Sequence, residues 1–177
     1  NEVKCEIVVN DDSVVSSFRA VMPNILHTRG NDAVGGLLLG APIGDQSAID
    51  NVLQSKLTVF QRFASRLTTL NAQDALFLLK NCLGLPKLLY TLRCASCYNS
   101  AVLSQYDTVM KQTLQVILNI DLTEPIWSQA TLPVASGGLG VRLATDLALP
   151  AFLASVNGAA KPTLQLLLSR LHVVSGN

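Results

Sequence analysis

Leu53, Leu57, Phe60, Ala64 and Leu67 recur at intervals of four, three, four and three residues. That is the repeat of one face of an α-helix, and a strand cannot place such residues on one side. Arg62 and Arg66 fall one turn apart on the opposite face, so the same helix packs on one side and offers charge on the other. A second helical region, "NAQDALFLLKNCLGLPKLLYTLR", is expected to bend at Gly84 and Pro86, because proline has no N–H for the carbonyl one turn back. A third helix is expected from about Asn99 to Asn119, with Leu103, Tyr106, Met110, Leu114 and Ile117 as its stripe.

Only the start of the chain reads differently. "KCEIVV" ends in β-branched residues and predicts a strand. "DDSVVSSFRAVMP" predicts a short helix closed by Pro23, and "NILHT" and "VGGLLLG" flank "RGND" as the two strands of a hairpin. Strand alternation would then put Leu37 and Leu39 on one face and Leu38 on the other. After residue 120, "EPIWSQATLPVASGGLGVR" reads as a loop-rich crossing, followed by two closing helices separated at Lys161 and Pro162. The expected fold is mainly α: a small N-terminal strand and hairpin element over 1–44, a helical bundle over 45–120, and a crossing with closing helices over 121–177.

Aliphatic residues supply most of the 49% hydrophobic content, while aromatics make up 5% and charged residues 14%. A large share of the surface must therefore be apolar or covered, as in a piece of a larger object. No uninterrupted apolar run reaches the roughly 18 residues of a spanning helix, so no membrane is expected as a partner. "NEVKCEIVV" has no basic-then-apolar leader and reads as a cut from within a longer chain. The cysteines at 5, 82, 94 and 97 do not form a disulfide framework, which predicts a reducing, intracellular setting. "CASC" has the gap of a zinc knuckle but no second pair follows it, and His27 and His172 stand alone, so no metal site is expected.

Charge is distributed unevenly. Residues 1–52 carry three basic groups against seven acidic ones, and residues 53–111 carry seven basic groups against two. The electropositive middle is the part suited to a polyanion, although a solvated helix face carries charge without any such role. Glycine-rich chemistry is absent. "LLLGAPIG" lacks the Gly-Lys-Ser/Thr of a phosphate loop, and Gly137, Gly138 and Gly140 follow no strand leading into a helix. Asp11 and Asp12 after an apolar strand resemble the carboxylates with which polymerases hold two metal ions. With Ser13 beside them and a helical pattern following, they read first as a helix cap.

Several segments carry a likeness when taken in order: "KCEIVV", "LLLGAPIG", "LLKNCLGLPKLLYTLRCA", "YDTVM" and "WSQATLPVASGGLGVR". Together they resemble the region downstream of the active site in reverse transcriptases of non-LTR retrotransposons. The last segment, similar to the family's "A-x-L-P…GGLG-hydrophobic-R", is the most specific, and the likeness covers nearly the whole chain. It implies a fragment of an RNA-directed DNA polymerase comprising the end of the palm, with a primer-gripping hairpin, and an α-helical thumb. The catalytic x-Asp-Asp would lie upstream of "KCE", together with the fingers and the rest of the palm. The fragment alone is then not expected to polymerise, and the Mg²⁺ such chemistry needs belongs to the parent enzyme.

The partner so implied is the RNA/DNA primer–template duplex, in the cytoplasm and nucleus. Arg62, Arg66, Lys80, Lys87 and Arg93 are the candidate phosphate contacts. The hairpin backbone around Gly36, Gly40 and Gly44 would stand near the primer end. Lys4 matches a lysine that the family's pattern places near the incoming nucleotide, where it would act as a general acid; a strand-edge lysine is the alternative. From another class, a helical protein-interaction module also fits the low charge and sparse aromatics.

Overall fold

The computed structural model of the chain describes residues 6–8, 26–28 and 35–174. Lys4, Asp11, Asp12 and the expected helix before Pro23 lie outside the described residues. Among the described residues there are two small sheets. β1 (Glu6–Val8) pairs in parallel with β2 (Leu26–Thr28), and β3 (Gly35–Leu38) pairs antiparallel with β4 (Ala41–Gly44).

The hairpin expected between "NILHT" and "VGGLLLG" is thus displaced by one element: its turn is Leu39–Gly40, and β2 pairs with β1 instead. Leu39 (φ 52°) and Gly40 (φ 80°) both take left-handed backbone, as a two-residue type I′ turn requires. Leu39 therefore sits at the tip and does not share a strand face with Leu37. Register places Pro42 opposite Leu37, one step from the turn-closing pair Leu38–Ala41. Ladder bonds alternate along such a pair, so the proline's missing N–H falls where no donor is used. A leucine in the left-handed region is disfavoured by about 1–2 kcal/mol. Leu39→Asn supplies the preferred Asn-Gly turn, and we expect it to raise stability by about 1 kcal/mol in thermal unfolding.

The helices follow in a continuous run. α1 (Gln46–Leu67) starts at Asp45, whose carboxylate accepts a hydrogen bond from the Ala48 N–H at 2.9 Å and is held below its ordinary pKa mainly by that bond. α2 (Ala72–Leu78) is capped by Asn71 and runs into one π-helical turn, Leu79–Leu83, closed by the Gly84 N–H donating to the Leu79 carbonyl. A β-carbon on Gly84 would stand 2.5 Å from that carbonyl, so the bend needs glycine. α3 (Leu85–Cys94) then begins with Pro86 in its first turn, where the missing N–H leaves no bond unmade. By length and composition alone, Ala72–Cys94 is apolar enough to cross a membrane, despite Lys80 and Lys87. In the fold it is broken into three pieces, and Leu79, Leu85, Leu88 and Leu92 are buried in the core.

α4 (Ala101–Leu118) starts at Ser100 and ends at Asn119 in left-handed backbone. It packs on α1: Phe60 stacks on Tyr106 with ring centroids 4.4 Å apart. The Tyr106 hydroxyl donates to the Gly84 carbonyl at 2.9 Å, which ties α4 to the bend, and burial raises its pKa. The crossing is less irregular than its sequence suggests. α5 (Glu124–Thr131) opens with Pro125 in its first turn, and a 3₁₀ turn follows at Val134–Ser136. The Lys111–Glu124 ion pair at 2.6 Å joins α4 to α5.

α6 (Ala144–Val174) replaces the two closing helices with one. Pro150 and Pro162 stay inside it because both lie on exposed surface. The carbonyls they leave without a donor, of Asp146 and Gly158, belong to exposed residues and can bond water. Ala144 and Ala148 are buried where the start of α6 packs on α3 and α4. From Leu153 onward the described side chains are almost all exposed.

Candidate nucleic-acid interface

The hairpin is not a free arm. Tyr90 on α3 donates its hydroxyl to the Leu39 carbonyl at 2.9 Å, and its ring lies under Gly40, where a β-carbon would meet Cε1 at 3.9 Å. β4 also packs on α1 and α3. The tip itself points outward, with Leu39 91% exposed and Leu37 and Leu38 also exposed. Gly40 forms the turn, Gly36 lies opposite Ile43, and Gly44 (φ 133°) closes the pairing opposite Gly35.

The candidate cations fall into three groups. Lys87 and Arg93 lie three residues before and after Tyr90 on α3, so the anchored turn is flanked by an exposed cation one helical step to either side. Arg62 and Arg66 stand one turn apart on the exposed face of α1, opposite the buried stripe Leu53, Leu57, Phe60, Ala64 and Leu67. Among the described residues none of these four makes an ion pair. Lys80 is set apart from them. It is half-buried in the π-helical turn and lines a cavity of about 430 Å³ between that turn, the start of α3 and the segment after α5.

The arginine of "GGLGVR" carries no signal of a role in the sequence alone. Arg142 lines the same cavity as Lys80, 62 positions earlier in the chain. The glycines of this segment have separate duties. Gly137 (φ 79°) and Gly140 (φ 69°) take left-handed backbone, while Gly138 is demanded by space. The amides here are already engaged. Leu139 N–H and Val141 N–H donate to the Ala130 carbonyl, and Gly140 N–H donates to that of Leu132. The loop thus satisfies the end of α5 and does not cradle a phosphate.

Asp107, the acid of "YDTVM", has a structural task. Its carboxylate accepts hydrogen bonds from Ala144 N–H at 2.7 Å and from Thr145 N–H and Oγ1 at 3.0 and 2.7 Å, capping α6 from a neighbouring helix. "CASC" does not present paired thiols: Cys94 is exposed, whereas burial pushes the Cys97 thiol up to about 11. Among the described residues no three of His, Cys, Asp and Glu gather closely enough to hold a metal ion. Comparison with protein families, curated proteins and solved structures gives no match.

Proposed function

We propose that the chain is the palm end and thumb of an RNA-directed DNA polymerase of the non-LTR type, and that it holds the primer–template duplex. The observation that supports this most is the joint on α3. One helix anchors the hairpin tip through Tyr90 and carries Lys87 and Arg93 beside it, exposed and without an ion pair among the described residues. A duplex backbone laid along α3 would meet two cations and the hairpin turn together, and Arg62 and Arg66 on α1 would extend the footprint. Contacts of this kind position a duplex without reading its sequence.

The test is binding of the chain to RNA/DNA hybrid across a salt series. Affinity is expected to be weak and sequence-independent, with a log–log salt slope that flattens by about two when Arg62 and Arg66 are both replaced by alanine, at roughly 0.9 per lost contact. Replacing Lys87 and Arg93 together should do the same. Binding with an unchanged slope in both double variants removes these cations from the footprint.

One observation favours a second reading, a helical protein-interaction module. Leu153, Val156, Leu164 and Leu168 on the outer part of α6 are exposed. Salt-insensitive behaviour toward nucleic acid would favour that reading.

A further inference from the structure

The cavity beside the "GGLGVR" segment has a composition of its own. Its floor is apolar, with Leu79, Leu85, Met110 and Val141 all buried. Among the described residues Lys80 and Arg142 are the charged ones in its wall, and none of its lining is acidic. Lys80 lies across Gly140, so closely that a β-carbon there would stand 3.0 Å from Nζ and 3.2 Å from Cε. The half-buried Lys80 thus places its ammonium against Gly140 at the edge of an apolar floor, and among the described residues it makes no ion pair. A cation so placed gains from any anion that can share the site. The volume, about 430 Å³, falls in the range of small-ligand pockets, which combine apolar walls with a few polar groups.

We propose that this cavity binds a small amphiphilic carboxylic acid, its apolar body on the Leu79–Leu85–Met110 floor and its carboxylate held by Lys80 and Arg142. The apolar floor argues against a bare inorganic anion, and the two cations argue against a neutral hydrocarbon. The site is separate from the exposed cations of α1 and α3, so it does not depend on nucleic-acid binding by the chain.

The test uses decanoate and decanol as probes on the 177-residue chain, with affinity read by calorimetry. Decanoate is expected to bind at least tenfold more tightly than decanol. Lys80→Met and Arg142→Met should each weaken decanoate about tenfold, as loss of a hydrogen bond to a charged group does, and leave decanol unchanged. Lys161→Met, on the exposed outer part of α6, should leave both unchanged. A measurement on the unaltered chain guards against misfolded variants: saturating decanoate should slow acetylation of the Lys80 amine at least fivefold relative to that of Lys161. Equal affinity for decanoate and decanol, or equal acetylation of Lys80 with and without decanoate, would overturn the proposal.

Discussion

Gly138→Ala is expected to destabilise the chain by about 3 kcal/mol, the upper part of the range for forcing atoms into filled space. The added β-carbon would stand 2.1 Å from the Leu132 carbonyl oxygen and 2.6 Å from that of Gln129. Both obstacles are backbone, so no side-chain rotation can make room. Relief would require the loop to lift from the end of α5, which breaks the bonds that Leu139, Gly140 and Val141 make to Ala130 and Leu132. Urea unfolding should show a lower midpoint with an unchanged slope. Gly158→Ala serves as the contrast, because a β-carbon there meets nothing within 4 Å and replaces glycine inside a helix, so it should stabilise slightly. A loss as small as that of an ordinary surface substitution at Gly138 would mean that the loop does not close on α5 as described.

Asp107→Ala should cost about 2 kcal/mol, at the high end for a helix cap, since three donors at the start of α6 lose one acceptor. Asp107→Asn keeps one acceptor oxygen and should lose less. The pH dependence has a definite sign. Burial raises the Asp107 carboxyl above its ordinary value of 3.8, with Asp146 adding to it, against the lowering by the bonds from Ala144 and Thr145. A raised folded value means that the folded chain keeps a proton that the unfolded chain has released. This contribution is fully present below the unfolded value and declines as pH rises through the folded one. The stability gap between the unaltered chain and Asp107→Ala should therefore narrow as pH is raised from about 3 toward neutrality, as followed by chemical unfolding at each pH.

Much of the helical core was legible because it obeys local rules. The stripe from Leu53 to Leu67 and the one from Leu103 to Ile117 are buried as their spacing requires, and the bend falls at Gly84. What escaped the sequence is what local rules cannot carry. The hairpin turn puts a leucine into left-handed backbone, which propensity argues against, so its position was misread by one element. Pro162 was taken as a break because the cost of a proline depends on whether the freed carbonyl meets solvent, and that is decided by exposure. The cap on α6 joins Asp107 to residues 37 and 38 positions away, and the cavity joins Lys80 to Arg142. Neither leaves a periodic trace. The cations of α1 and α3 could be named as charges, but only the Tyr90–Leu39 bond shows that two of them flank the hairpin.

The length of α6 gives its root a mechanical weight. Its 31 residues span about 46 Å at 1.5 Å per residue, and the part that meets the body ends near Ser155, the last described position that is not exposed. The rest projects beyond a root held both by the Asp107 carboxylate and by Ala144 and Ala148, which are buried against α3 and α4. A tilt of about 5° at that root would carry the far end through about 4 Å at this length. A small shift at the root is therefore felt most at the outer end of α6.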